Sequence, residues 1–155
     1  MPIALVAPLL LAAAPPAPAL PALTVDVGNV RNGHGRVRID ICPKDRFLAD
    51  GCPWHAVAPA HPGTTTITVP ALPPGDYAIQ AFHDENANDA VDRGLFGIPR
   101  EGVGFSRDAK IVFSPPKWSD AMFHHDGTAQ RTGFHLRYWT GPTSPAEWKA
   151  RHPGG

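Results

Sequence analysis

Tyr77-Ala78-Ile79-Gln80-Ala81-Phe82-His83 is the stretch whose reading decides the fold. It puts Tyr77, Ile79 and Ala81 on one face of an extended chain and Ala78, Gln80 and Phe82 on the other, the period-two arrangement of a strand. The turn Leu72-Pro73-Pro74-Gly75-Asp76 precedes it, and it runs directly into Asp84-Glu85-Asn86-Ala87-Asn88-Asp89-Ala90-Val91-Asp92. A rigid strand that empties into a loop rich in side-chain oxygens is a usual way to position functional groups.

Working toward the N-terminus, Thr64-Thr65-Thr66-Ile67-Thr68-Val69 is β-branched throughout and reads as another strand. Leu23–Val27 and Arg36–Ile41 alternate apolar and polar residues across a turn containing Asn32-Gly33. They are expected to form an antiparallel hairpin, with Val37, Ile39 and Ile41 facing inward. Pro43–Gly63 has no sustained period and reads as an irregular excursion tacked down by Phe47, Leu48 and Trp54. Toward the C-terminus, Lys110–Phe113, Ala121–His124 and Phe134–Trp139 are strand candidates, the last with Phe134, Leu136 and Tyr138 on its core face. The sum is an all-β sandwich of about seven strands with one long functional loop. In the tail, Ser144-Pro145-Ala146-Glu147 carries the cap and first-turn signals of a short helix, with Trp148 placed to dock it.

With 19 prolines and 15 glycines in 155 residues, the chain has little room for long helices. Lys plus Arg and Asp plus Glu are both 14, so no broad electrostatic field attracts a polyanion and nucleic acid is not expected as a partner. The apolar run Ile3–Ala14 followed by Pro15-Pro16-Ala17-Pro18-Ala19 reads as a signal peptide over residues 1–19, cleaved after Ala19 or alternatively after Ala22. It lacks a Lys or Arg ahead of the apolar run, and that run is shorter than the roughly 20 residues a membrane span needs. The expected organisation is a β-sandwich over residues 20–140 and a tail over 141–155 in an exported protein, periplasmic or extracellular, with no transmembrane segment in the mature chain. In such a compartment Cys42 and Cys52 read as a disulfide closing a surface loop; a thiolate metal site is the alternative, and the C-x-x-C spacing that zinc favours is absent.

The acidic loop has oxygen-bearing residues at calcium spacing. With Asp84 at the first position of an EF-hand-like loop, Asn86 and Asn88 take the third and fifth, the Ala90 carbonyl the seventh and Asp92 the ninth. Leu95 occupies the twelfth position, where such loops carry a bidentate Glu, and Glu101 is the expected substitute after Gly94–Pro99 folds back. Calcium bound this way is a weak cofactor, with a dissociation constant of about 10⁻⁴ to 10⁻³ M. The plainer reading of the same residues is a series of Asx-turns in a long connection.

Leu72-Pro73-Pro74-Gly75-Asp76-Tyr77, Phe82-His83-Asp84-Glu85-Asn86-Ala87-Asn88 with Asp92, Phe96-Gly97-Ile98-Pro99-Arg100-Glu101-Gly102-Val103-Gly104-Phe105-Ser106, and Pro115-Pro116 with Asp120-Ala121 together resemble the bacterial domain-of-unknown-function family numbered 2141. The resemblance spans Leu23 to Trp139 and implies export and a β-fold without implying an activity. The Leu-Pro-Pro-Gly-Asp-Tyr turn is also similar to that of prealbumin-like and carboxypeptidase-regulatory sandwiches, a resemblance that implies, by analogy, an Ig-like or prealbumin-like Greek-key sandwich. Members of the family usually carry Gly where Ala87 and Asp89 stand here, so the loop must turn sharply without it, and Asp89 tolerates a left-handed backbone best.

Other constellations compete. His83, His124, His125 and His135 are the donor types of a zinc or copper site in a metal-dependent enzyme or metal-handling protein. Ser106 with His83 and Asp84 has the residue types of a hydrolytic triad but no nucleophile elbow, and Asp84 with Glu101 has those of a glycosidase pair. Trp54, Trp118 and Trp139 are candidates for a sugar- or peptide-binding surface or for packing. The leading expectation is a non-enzymatic exported module whose calcium-clipped loop shapes one end of the domain for an unknown protein or envelope ligand.

Overall fold

The computed structural model describes residues 21–49 and 51–154. The expected leader, residues 1–19, lies outside the described residues. Among these, eight strands form two sheets: β1 (Ala22–Val30), β2 (Arg36–Cys42), β3 (Trp54–Pro59), β4 (Gly63–Pro70), β5 (Gly75–Asp84), β6 (Val103–Phe105), β7 (Phe123–His125) and β8 (Gln130–His135). One sheet runs β4-β1-β8; the other runs β3-β2-β5-β6, with β7 also paired to β5. No helix among the described residues is long and apolar enough to cross a membrane.

The core is the contact between the two sheets, and the alternation of the strands builds it. Leu23, Val25 and Val27 from β1, Ile67 and Val69 from β4 and Phe134 from β8 meet Val37, Ile39 and Ile41 from β2 and Tyr77, Ile79 and Ala81 from β5. The inward set of Arg36–Ile41 is as expected, but the hairpin is not. β1 pairs with β4 (antiparallel) and β8 (parallel), whereas β2 pairs with β3 and β5, so Asn29–Gly35 carries the chain from one sheet to the other. Either arrangement buries the same side chains, which is why periodicity did not distinguish them.

Two further expectations change. The Pro43–Gly63 excursion contains a strand, β3, whose Ala56 and Ala58 pack on the core and whose Trp54 sets its ring edge-on to Tyr77 at 5.2 Å. Lys110–Phe113 is not a strand: it finds no sheet partner, and Val112 and Phe113 stand in solvent. Cys42 and Cys52 are disulfide-bonded across the β2–β3 connection.

The outer face of the five-stranded sheet is covered at one end only. There Ala78, Phe105, Ala109 and Ala121 form a small second core with Phe47 and Trp118, the latter from the short helix α1 (Trp118–Ala121). The tail helix α2 (Pro145–Arg151) starts where the sequence signals it, with Ser144 Oγ accepting the Glu147 N–H. The Glu147 carboxylate reaches one residue further back, to Thr143 N–H at 2.9 Å.

Candidate functional site

β5 delivers His83 to the inner face and Asp84 to the outer one, and each enters a different buried polar system. Asp84 is fully buried, and its carboxylate accepts the Asn88 N–H at 2.9 Å through one oxygen and the Asp89 N–H at 2.9 Å through the other. Arg36, its cross-strand neighbour on β2, donates Nε–H to it at 3.1 Å and also contacts Asp89 Oδ1 at 2.8 Å. Burial pushes the Asp84 carboxyl up, but the Asp89 and Asn88 amides and Arg36 outweigh it and hold the group below its ordinary value. Gly35 makes this approach possible, because a Cβ there would collide with the Asp84 carbonyl oxygen.

The loop turns twice in the left-handed region without glycine, at Ala87 (φ 57°) and Asp89 (φ 65°), as the sequence required. Asn86 and Asn88 each close an Asx-turn, accepting Asn88 N–H at 3.2 Å and Ala90 N–H at 2.9 Å. Their amides donate to the two oxygens of Asp92 at 2.7 and 3.0 Å. Glu101 does return to the loop: buried, it accepts Glu85 N–H at 2.9 Å and Asp92 N–H at 3.1 Å. Burial raises the Glu101 carboxyl above its ordinary range, with the charges of Asp92 and Asp84 adding to the rise and the two amides offsetting part of it. Asp84, Asn86, Asn88, Asp92 and Glu101 are thus brought into one loop, while Ala90 is exposed and contributes its N–H to the turn. Their oxygens are engaged by amides and by Arg36, and among the described residues no group of three His, Cys, Asp or Glu side chains is placed to hold a metal.

The inner system was not read from the sequence. Tyr138 accepts Arg31 N–H at 3.1 Å and donates to His83 Nδ1 at 2.9 Å, and His83 Nε2–H donates to the His34 carbonyl at 2.8 Å. The carbonyl partner fixes the tautomer. Burial lowers the His83 pKa and raises that of Tyr138, so both rings are neutral at pH 7. The Arg31 guanidinium lies over the Tyr138 ring at 4.5 Å and donates to Glu85 at 2.6 Å and to the Thr140 carbonyl at 2.7 Å, holding the C-terminal segment against the loop. Gly102 lets the Tyr138 ring in, since a Cβ there would overlap it.

The remaining histidines do not gather. His125 is buried at the opposite end of β5, against Gly75, with its ring nitrogens on Gln130 and the Leu72 carbonyl, while His124 meets Asp76 and His135 meets Asp108 at the surface. Ser106 is fully buried; it accepts Ile79 N–H at 2.9 Å and donates to the Ala121 carbonyl at 2.5 Å. With its hydroxyl and both His83 ring nitrogens committed to internal partners, no triad assembles. Asp84 and Glu101 likewise have both carboxylate oxygens on internal donors and are buried rather than set in a cleft as a glycosidase pair is.

What the fold leaves open is a groove of about 810 Å³ on the outer sheet face. Arg38, Asp40, Gln80 and Phe82 form its floor, with Arg38 and Asp40 paired at 2.9 Å. One wall is Phe96–Pro99 and the other Ile111–Pro115; Trp139 also lines it, alone among the three tryptophans singled out above. A family model matches residues 25–132, and the family it describes is an uncharacterized protein conserved in bacteria, DUF2141. The chain belongs to the DUF2141 family. No curated protein and no solved structure matches it. The DUF2141 match takes in the whole acidic loop and both groove walls and stops short of Tyr138 and Trp139, which the C-terminal segment adds. Large apolar side chains between charged residues in Gly- and Pro-bearing segments are the sequence feature of these walls, and over Lys110–Phe113 the same feature suggested a strand instead.

Proposed function

We propose that this DUF2141 chain is an exported, non-enzymatic binding module whose ligand lies in the groove on the outer face of the five-stranded sheet. The observation that carries the reading is the groove itself: its volume is in the range of small-molecule and peptide sites, with apolar walls over a polar floor. The acidic loop supports it by fixing one wall, since Asp84, Arg36 and Glu101 anchor the backbone on either side of Phe96–Pro99. The disulfide suits an oxidising compartment. The test is titration with an environment-sensitive apolar dye. Gln80→Trp, which fills the groove from its floor, abolishes dye binding without moving the melting temperature; unchanged binding refutes the assignment.

One observation favours a second reading, weak calcium binding in the loop. Asp84 accepts the amides four and five residues on while Asp89 is left-handed, a curl that would let Asn86, Asn88 and Asp92 turn toward an ion. Arg36 is then calcium's competitor for Asp84, so Arg36→Gln increases the calcium-dependent rise in melting temperature measured against EDTA. If calcium moves neither protein, this reading fails.

A further inference from the structure

The two groove walls share a sequence pattern that a small-ligand site does not require. One is Arg93-Gly94-Leu95-Phe96-Gly97-Ile98-Pro99-Arg100 and the other Lys110-Ile111-Val112-Phe113-Ser114-Pro115-Pro116-Lys117. Each is eight residues long, carries a cation at both ends and has no acid within it. Each also ends in a bare aromatic tip, Phe96 at 97% and Phe113 at 102% exposure, with Leu95 and Val112 beside them at 82% and 69%. Among the described residues, none of the four cations is within 4.0 Å of a carboxylate. Arg93 donates instead to the Gly97 carbonyl at 3.0 Å, bracing the first tip. Both segments line the same groove, so the two tips belong to one surface.

Fully exposed phenylalanines are unfavourable in water, and two of them lining one groove, each with an exposed aliphatic neighbour, form an apolar patch of the kind that marks an interaction surface. What sets the partner is the charge. A protein groove that accepts apolar tips needs acids placed opposite four separate cations, whereas an anionic bilayer offers hydrocarbon for the tips and phosphates for cations at any spacing around them. We propose that the two tips dock the domain on a membrane surface rich in anionic phospholipid, with Phe96 and Phe113 inserted and Arg93, Arg100, Lys110 and Lys117 at the headgroups. This deepens the reading of the groove as the binding face and rests on it, because docking would set the groove mouth against the lipid.

The experiment is co-sedimentation of the purified protein with vesicles of phosphatidylglycerol and phosphatidylethanolamine, and with vesicles of phosphatidylcholine alone. Each cation near an anionic surface contributes a factor of about five. The expected result is at least about tenfold stronger partitioning to the anionic vesicles, weakened by high salt. Phe96→Asp/Phe113→Asp and, separately, Arg93→Glu/Lys110→Glu each reduce it by at least about tenfold. All variants carry the same N-terminal segment, so the comparison isolates the tips, and their melting temperatures report folding. Equal partitioning to the two vesicle types, no partitioning, or full partitioning of either variant overturns the inference. If vesicles fail while the apolar dye still binds in a Gln80-dependent way, only the membrane inference falls; if both fail, the groove assignment falls with it.

Discussion

Replacing Ser106 by Ala separates a structural hydroxyl from a nucleophilic one, because the two roles predict opposite signs. The Ser106 side chain takes the place of a missing backbone partner: β6 ends at Phe105, opposite Gln80, and the hydroxyl then meets the next N–H on β5, that of Ile79, at 2.9 Å. Its own O–H donates to the Ala121 carbonyl, joining α1 to the sheet. Ser106→Ala leaves a fully buried strand N–H unpaired, which costs about 1 to 3 kcal/mol, and frees a carbonyl whose lost bond adds about 1 kcal/mol. The expected loss is therefore about 3 kcal/mol, or about 10 °C in melting temperature for a domain of this size. Urea unfolding followed by intrinsic fluorescence reads it directly, as a lower midpoint at unchanged slope. Nucleophile sites store strain, so at such a site the same truncation holds or raises stability. A loss below about 0.5 kcal/mol, or any gain, would refute the structural account.

Ala87→Gly relieves a left-handed residue worth about 1 to 2 kcal/mol against a glycine entropy cost of about 0.5 to 1 kcal/mol, so it raises the urea midpoint by the equivalent of about 0.5 kcal/mol; a lower midpoint counts against the loop geometry. Reducing the Cys42–Cys52 bond lowers stability by about 2 to 3 kcal/mol, checked by unfolding with and without reductant. The His83 pKa is depressed below 6.5 in the fold, so the unfolded chain takes up its proton first and the contribution of His83, complete above 6.5, is lost as pH falls. Wild type therefore loses stability relative to His83→Gln as pH falls through about 6.5 and on toward the lower folded value. Glu101 has the opposite sign: its carboxyl is raised above 4.5, the folded protein binds the proton first, and wild type gains on Glu101→Gln as pH falls toward that value. Parallel pH trends for the two variants would contradict one of the assignments, the one whose sign is reversed.

The side chains that fill the core were legible because a strand's period is two whatever its partner, and Val37, Ile39, Ile41, Phe134, Leu136 and Tyr138 are buried as their spacing implied. Partners are a different kind of information. Nothing in Leu23–Val27 says that it lies between β4 and β8 instead of beside β2, since pairing is decided by which apolar faces close a common core across many residues. β3 was hidden for a local reason: Ala56 and Ala58 are small, and a strand whose inward face is alanine gives little hydrophobic contrast among prolines. Ile111, Val112 and Phe113 misled in the converse way, being apolar without being buried as a strand.

The loop shows how far residue type alone reaches. The Asp84, Asn86, Asn88, Asp92 and Glu101 oxygens do converge on one curled segment, and Glu101 does come back across Gly94–Pro99 as its spacing suggested. Convergence of oxygens is what a cation needs, but it is also what a backbone needs when successive turns leave amides without strand partners. Sequence spacing cannot separate the two demands, because N–H groups and metal ions ask for the same acceptors. The group that tips the balance is Arg36, which comes from β2, 48 residues before Asp84, and is set opposite it by strand register. A guanidinium from another strand that balances the carboxylate is invisible to any reading confined to the loop. Its removal is accordingly the perturbation that turns an amide-wired connection into a competent site for calcium, or shows that the amides alone are what the acidic side chains serve.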